Sequence, residues 1–231
     1  MTRLIVDIRE KRLAGRPVLG PIAFTVDTQE VVALVGPSGC GKSTLLRLAA
    51  GLDREVTGTV RWSGPAPRLG VVFQQPRLLP WRTVRQNLDI AGAGGEEGQR
   101  LLERLGLAAK ADVWASHLSL GMARRLALAR ALAMDAQALL LDEPFASLDE
   151  ANQRLARAVL LEHRLRRPTP TLLVTHDLAE AVALADRVLV LSPGPARLLV
   201  DQPVPDAART DAAVAAETVA ALRVWSGVSP V

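Results

Sequence analysis

The chain has 231 residues, 49% of them hydrophobic, which is enough for one large domain with a sizeable core. No apolar run approaches the ~20 residues of a spanning helix, and the start, Met1-Thr2-Arg3-Leu4-Ile5-Val6-Asp7, lacks a signal-peptide layout; the expectation is a cytosolic protein that meets membranes only through a partner. One cysteine excludes an intramolecular disulfide, and a net charge of +4 spread over arginines interleaved with acids, without a basic-aromatic stretch, argues against nucleic acid as a partner.

In chain order, Leu4 to Ile8 alternates and reads as a strand, followed by a turn at Ala14-Gly15-Arg16-Pro17. Ile22 to Val26 and the wholly apolar Val31 to Val35 read as two more strands. Then comes Gly36-Pro37-Ser38-Gly39-Cys40-Gly41-Lys42-Ser43-Thr44, with a helical pattern from Leu45 to Ala50 behind it. Strand, glycine loop and helix are the context that G-x-x-x-x-G-K-[ST] requires. Glycines let successive backbone N–H groups converge on phosphate oxygens, and the helix N-terminus adds its positive dipole end. Lys42 supplies a point charge to the β- and γ-phosphates, and the Ser43 hydroxyl is suited to Mg²⁺. Lys11, Lys42 and Lys110 are the only lysines, so an ammonium at this one loop position stands out against an arginine-rich background. Cys40 reads as a small packing residue inside the loop.

Thr57 to Trp62 and Leu69 to Phe73 read as strands, with a loop marked by Pro65 and Pro67 between them. The segment Gln74-Gln75-Pro76-Arg77-Leu78-Leu79-Pro80-Trp81 has two prolines and no periodicity, yet carries three large apolar residues. Leu78, Leu79 and Trp81 form either a docking surface or a small satellite core. Thr83 to Ile90, Glu96 to Leu105 and Ala123 to Met134 read as helices. Together they suggest a nearly continuous helical insertion, the last helix burying one face through Met122, Leu126, Ala129 and Ala133. Ala138 to Leu141 is a buried strand running into Asp142-Glu143-Pro144, and Ala151 to Arg167 is a helix. Thr171 to Thr175 is a strand ending at His176; Leu178 to Ala185 is helical; Arg187 to Leu191 and Arg197 to Val200 are strands. An alanine-rich amphipathic tail follows. The basic run Arg164-Leu165-Arg166-Arg167 reads as a solvated helix end favoured by the dipole. The alternation predicts an α/β fold with a parallel sheet behind the phosphate loop.

Four apolar residues followed by Asp-Glu complete a hydrolytic pairing. A carboxylate at the end of a buried strand, Asp142, is placed to hold the Mg²⁺ shell, and Glu143 to polarise a water for in-line attack. At this point the chain resembles the ATP-binding cassette (ABC) ATPases of membrane transporters, over nearly its whole length. The phosphate loop and Asp142-Glu143 are two of six matching motifs. Gln74 resembles the Q-loop glutamine, Leu118-Ser119-Leu120-Gly121-Met122 the family signature, Ser147-Leu148-Asp149 the D-loop, and His176 the switch histidine. The resemblance implies a P-loop NTPase fold of ABC type: a RecA-like core (about 1–82 and 136–204) with an antiparallel β edge, an inserted α-helical subdomain (about 83–135) and a C-terminal helical tail (about 205–231). It implies ATP and Mg²⁺ as cofactors, the metal held by Ser43, Gln74 and Asp142. It also implies a second copy, bound head to tail, whose Ser119 hydroxyl and Gly121 N–H cap the γ-phosphate lying on this copy's Lys42 loop. Glu143, His176, Lys42 and Gln74 are then the catalytic set.

Two positions depart from the family pattern. Leu120 replaces the signature's first glycine, and is strained if that position needs positive φ. Leu13 falls where the family usually stacks an aromatic ring on adenine, so weak base selectivity is expected. The loop from Phe73 to Val84 is similar to that of nitrate, sulfonate and taurine importers, where Leu-Leu-Pro-Trp meets the permease; this favours the docking reading. It implies a peripheral subunit on the cytoplasmic face of the inner membrane, with permease subunits and, indirectly, a solute-binding protein as partners. A GTPase is disfavoured because the only K-x-D, Lys110-Ala111-Asp112, is preceded by Ala109. A small-molecule kinase leaves the Ser119 signature unexplained, and a non-transport cassette ATPase usually carries two cassettes or a coiled-coil insertion.

Overall fold

The computed structural model describes residues 2–226; the last part of the expected tail, 227–231, lies outside the described residues. The chain forms two compact units, 1–67 with 169–231 and 68–168.

The first unit begins with β1 (Leu4–Leu13), β2 (Arg16–Leu19), β3 (Ile22–Val26), β4 (Val31–Val35), α1 (Lys42–Ala49) and β5 (Thr57–Trp62). The second holds β6 (Leu69–Val72), α2 (Val84–Ile90), α3 (Gly95–Arg104), α4 (Leu120–Ala133), β7 (Ala138–Asp142) and α5 (Glu150–Arg166). The chain then returns to the first unit with β8 (Thr171–Val174), α6 (Leu178–Leu184), β9 (Arg187–Leu191), β10 (Leu198–Pro203) and α7 (Ala212–Ser226).

In the first unit β1 pairs antiparallel with β2, β3 and β5. Leu4, Val6 and Ile8 alternate inward along it. The expected turn at Ala14–Pro17 is shorter than its sequence signals suggest. Only Ala14 and Gly15 turn, and Arg16 to Leu19 forms a strand. Pro17 is tolerated there because its only strand partner is Arg12 of β1; the bridge to Ala196 falls further on, at Leu19. A second layer runs in the order β10-β9-β4-β8. Here β4 lies parallel to both β8 and β9, and β10 returns antiparallel to β9. All of β4 and β8 is buried, as continuous apolar runs in parallel strands require. Helix α6 packs on β4 and β9, and α7 on α6.

In the second unit β6 and β7 pair in parallel, Leu69 opposite Ala138 through Val72 opposite Leu141. The three helices expected in the nearly continuous stretch from about Thr83 to Met134 are all present, separated by two breaks. A turn at Ala91–Gly92 separates α2 from α3, and 105–119 folds as single 3₁₀ turns and extended links. Gly92, in the left-handed region at φ 68, turns the chain at the first break, while the start of α2 is fixed by a reciprocal capping box of Thr83 and Gln86. Helix α4 also differs from the single-face reading. Leu126 to Ala129, Ala131 and Leu132 are all buried, because α2, α3, α5 and β6 surround it.

Candidate nucleotide-binding site

The phosphate loop leaves the C-terminal end of β4 and enters α1 at Lys42. Gly41, the residue before the helix, has φ 116 and no side chain to cap it. A Cβ there would meet Leu19 Cδ2 at 2.5 Å and Val18 Cγ1 at 3.0 Å, so β2 presses against the loop and only glycine fits. Gly36 is similarly hemmed in: a Cβ would lie 3.0 Å from Leu191 O and 3.1 Å from Cys40 Sγ. Cys40 is buried at 2% exposure, as a packing residue should be, while Ser38 and Gly39 at the loop crest are exposed. Lys42 is 6% exposed. Its Nζ donates to Gly36 O at 2.7 Å and Pro37 O at 2.9 Å, so the ammonium lies back across its own loop. Ser43 and Thr44 follow in the first turn, half-buried.

His176 lies two residues beyond β8. Val174 is opposite Leu34 in the parallel pair, and Thr175 N donates to Leu34 O at 3.2 Å. His176 is therefore level with Gly36, exposed, at the C-terminal edge where the loop begins. Asp177 follows as the N-cap of α6, accepting from Ala179 N and Glu180 N, which anchors the turn that carries the histidine.

The second unit repeats this logic at its own strand ends. Val72 is opposite Leu141, so Gln74 comes level with Glu143. Asp142 closes β7 at 4% exposure. Glu143 turns out of the strand at φ 48 and Ser147 at φ 57, left-handed conformations that cost a non-glycine residue roughly 1 kcal/mol or more. Ser119 is the N-cap of α4, its Oγ accepting from Met122 N at 3.3 Å. Leu120 is the first helical residue and does not have positive φ; the strain feared for a glycine replacement is absent. A Cβ on Gly121 would touch Leu148 Cδ2 at 3.4 Å, and the Arg124 guanidinium donates to Ala146 O. The signature segment and the D-loop segment thus pack together. Asp149 caps α5 through Asn152 N at 2.9 Å and also accepts from Asn152 Nδ2 at 2.6 Å; the backbone bond first, then the side-chain bond, hold its carboxyl below the usual range. Gln74, Asp142, Glu143, Ser119 and Gly121 belong to the second unit, the phosphate loop and His176 to the first.

The apolar loop after Gln74 is divided. Leu78 and Leu79 are half-buried, and Trp81 is 64% exposed. Two residues beneath or beside it escaped the sequence reading. Asn87, buried in α2, accepts from Leu79 N at 2.8 Å and donates to Leu79 O at 3.1 Å. Trp114, 49% exposed, bridges to Thr83. Neither had a periodic signal: Asn87 is defined by the irregular loop that folds back on it, and Trp114 by a partner 31 residues earlier.

A buried parallel strand, a loop closed by a left-handed glycine and a helix opening on a lysine define the class: a P-loop nucleotide-binding α/β protein. Residues 19–146 match the ABC transporter family. Similar proteins include one named aliphatic sulfonates import ATP-binding protein SsuB 2 of Burkholderia lata, 44% identical over 205 residues, covering 84% of this chain and 75% of that protein. A protein of the same name from Pseudomonas syringae pv. tomato is 43% identical, with 86% and 87% covered. SsuB 1 of Mesorhizobium japonicum is 47% identical over 207 residues, with 85% and 77% covered. A solved structure described as the ATP-binding subunit of an ABC transporter superposes with a TM-score of 0.80, covering 97% of this chain and 98% of that one at 24% identity, and so shares the fold. The chain belongs to the ABC transporter family, as an ATP-binding subunit that hydrolyses ATP. Among the described residues no helix is long and apolar enough to cross a membrane.

Proposed function

We propose that this chain powers an importer of aliphatic sulfonates or a closely related small organic anion. The named relatives at 43 to 47% identity support the solute class. In this reading the ATP phosphates lie over Gly36 to Thr44. Lys42 exchanges its two carbonyl partners for β- and γ-phosphate oxygens, and the N–H groups opening α1 complete the cradle. The Ser43 hydroxyl, the Asp142 carboxylate and the Gln74 side-chain oxygen are the hard oxygen donors that suit Mg²⁺. When bound, the ion would neutralise charge on the β- and γ-phosphates. Glu143 accepts a proton from the attacking water, His176 contacts the γ-phosphate, and Gln74 links the site to the loop carrying Trp81.

The observation that carries this reading is the pairing at strand ends: Gly36 with His176, and Gln74 with Glu143, each at the C-terminal ends of adjacent parallel strands. Ligands of open α/β sheets gather at such ends. Ser119 and Leu120, exposed at the start of a 14-residue helix, are free to face a second copy, which would cap the γ-phosphate with Ser119 Oγ and Gly121 N–H. The exposed rings of Trp81 and Trp114 suit a permease helix, which makes the chain a peripheral subunit at the cytoplasmic face of the inner membrane, fed indirectly by a solute-binding protein.

The test is Glu143→Gln. It should keep ATP binding, lose turnover by about 10²-fold or more, and run as an ATP-dependent dimer on gel filtration. Hydrolysis at the wild-type rate would overturn the assignment of the base. Reconstitution with the permease separates the solute question: sulfonate, not nitrate, should stimulate hydrolysis.

A further inference from the structure

The basic end of α5 does more than face solvent. Together with α3 it encloses a pocket of about 200 Å³ inside the second unit. Arg100 and Arg104 enter from α3, Arg166 and Arg167 from the end of α5. The carboxylates among them are Glu97 and Glu162. Glu162 accepts from Arg104 and, at 2.8 Å, from Arg166; Arg100 pairs with Glu97 at 2.8 Å and lies 3.6 Å from Glu162. Arg167 reaches only the exposed Asp135, at 3.4 Å. Four guanidiniums against Glu97, Glu162 and the exposed Asp135 leave a surplus of one positive charge.

One buried donor and one imidazole in this pocket stand outside these ion pairs. Arg100 Nε is buried with no hydrogen bond. The His163 side chain is 9% exposed and lines the pocket, and among the described residues its ring has no hydrogen bond. Buried donors in native proteins are rarely left unpaired. A helix dipole accounts for basic residues in the last turn of α5, but not for two more arginines facing them from α3, nor for an unpaired imidazole between them. The volume is too small for a nucleotide and ample for a tetrahedral ion. Guanidiniums bind such oxyanions with paired N–H donors.

We propose that the α3–α5 pocket binds a small tetrahedral oxyanion of the sulfate or phosphate class, held by Arg100, Arg167 and the His163 ring. The site is distinct from the phosphate loop, which lies in the other unit. Burial first, and then Arg167 and Arg100 against an opposing pull from Glu97, hold the His163 pKa below its ordinary value; Arg104, Glu162 and Arg166 complete its charged surroundings. A bound anion reverses that balance and draws a proton onto the ring.

The experiment is an NMR titration of the His163 imidazole in the full chain carrying Lys42→Ala, which removes anion binding by the phosphate loop; His163→Asn assigns the signal. Sodium sulfate or phosphate, against sodium chloride at equal ionic strength, should raise the His163 pKa by about one unit, a tenfold tighter proton, with His117 unmoved. Arg100→Gln and Arg167→Gln should each abolish most of the shift, and Glu162→Gln should enlarge it. Vesicles of phosphatidic acid, run in parallel with phosphatidylcholine, separate a lipid headgroup from a free ion as the source; a shift with either anion source supports the pocket. An unchanged His163 titration in all anion arms overturns it, as does a shift that survives both arginine substitutions.

Discussion

Asn87 is the point at which the exposed loop carrying Trp81 is tied to α2, and Asn87→Leu isolates that tie. Leucine keeps nearly the same volume, so the change tests hydrogen bonding rather than packing. Four contacts are lost: Leu79 N at 2.8 Å, Leu79 O at 3.1 Å, Thr83 O at 3.0 Å and Arg82 O at 3.4 Å. They do not weigh equally. Thr83 O still accepts from Asn87 N, Arg82 O from Ala115 N, and Leu79 O from Arg82 N. Only the Leu79 N–H loses its sole partner. Two good bonds at about 1 kcal/mol each, plus an orphaned donor that water partly satisfies, give a loss of about 2 to 3 kcal/mol. In a chain of this size that corresponds to roughly 4 to 12 °C in Tm if unfolding is two-state. The decisive assay is amide hydrogen exchange. The Leu79 amide should lose protection in the variant, more than the amides of α4. Unchanged protection at Leu79, or a Tm equal to wild type, would refute the argument that Asn87 holds the loop.

Lys11 offers a second test. It is 1% exposed, with Nζ 2.8 Å from Asp53 Oδ1 and 2.6 Å from Glu55 O. Lys11→Met should cost about 2 to 3 kcal/mol at neutral pH, since Asp53 regains part of its hydration. The bond to Lys11 is the chief reason the Asp53 carboxyl lies below its usual 3.8. The stability it supplies is therefore present above about pH 3.8 and lost as pH falls through the lower folded value; urea midpoints of Lys11→Met should show a flatter acid limb, and an unchanged limb would exclude the pair as its source. Cys40, buried against Gly36, should react slowly with a bulky maleimide, and stoichiometric labelling should abolish ATP binding, with ATP protecting. Full nucleotide affinity in the labelled protein would contradict that packing. Leu13, exposed at the end of β1 with no ring, predicts a GTP-to-ATP hydrolysis ratio near one; a ratio far below one would show that another group reads the base.

Much of the site was legible because its residues sit in contiguous motifs at the ends of wholly apolar strands. The runs Val31–Val35, Ala138–Asp142 and Arg187–Leu191 announce buried parallel strands by composition alone. What escaped depends on tertiary partners. Arg16 and Pro17 look like the end of a turn until β1 pairs with them. Helix α4 reads as amphipathic through its arginines, but Arg124 and Arg125 spend their charge on carbonyls of neighbouring segments, Ala146 and Leu105. Asn87 acquires its meaning from the non-periodic loop that folds back on it, and Trp114 from a bridge to Thr83 far along the chain. The left-handed backbone at Glu143 is also invisible in a sequence, because glutamate carries no preference for it. Lysine usage singled out Lys42 and was silent about Lys11, whose burial follows from a β-sheet position and the Asp53–Glu55 loop opposite.

The posture of Lys42 has a consequence for what the loop accepts. Its ammonium is already satisfied by two carbonyls of its own loop, so the binding site carries a built-in competitor. An incoming group gains only the difference between its own hold on the lysine and that of two neutral oxygens. A neutral or singly charged ligand offers little improvement, whereas a polyphosphate does.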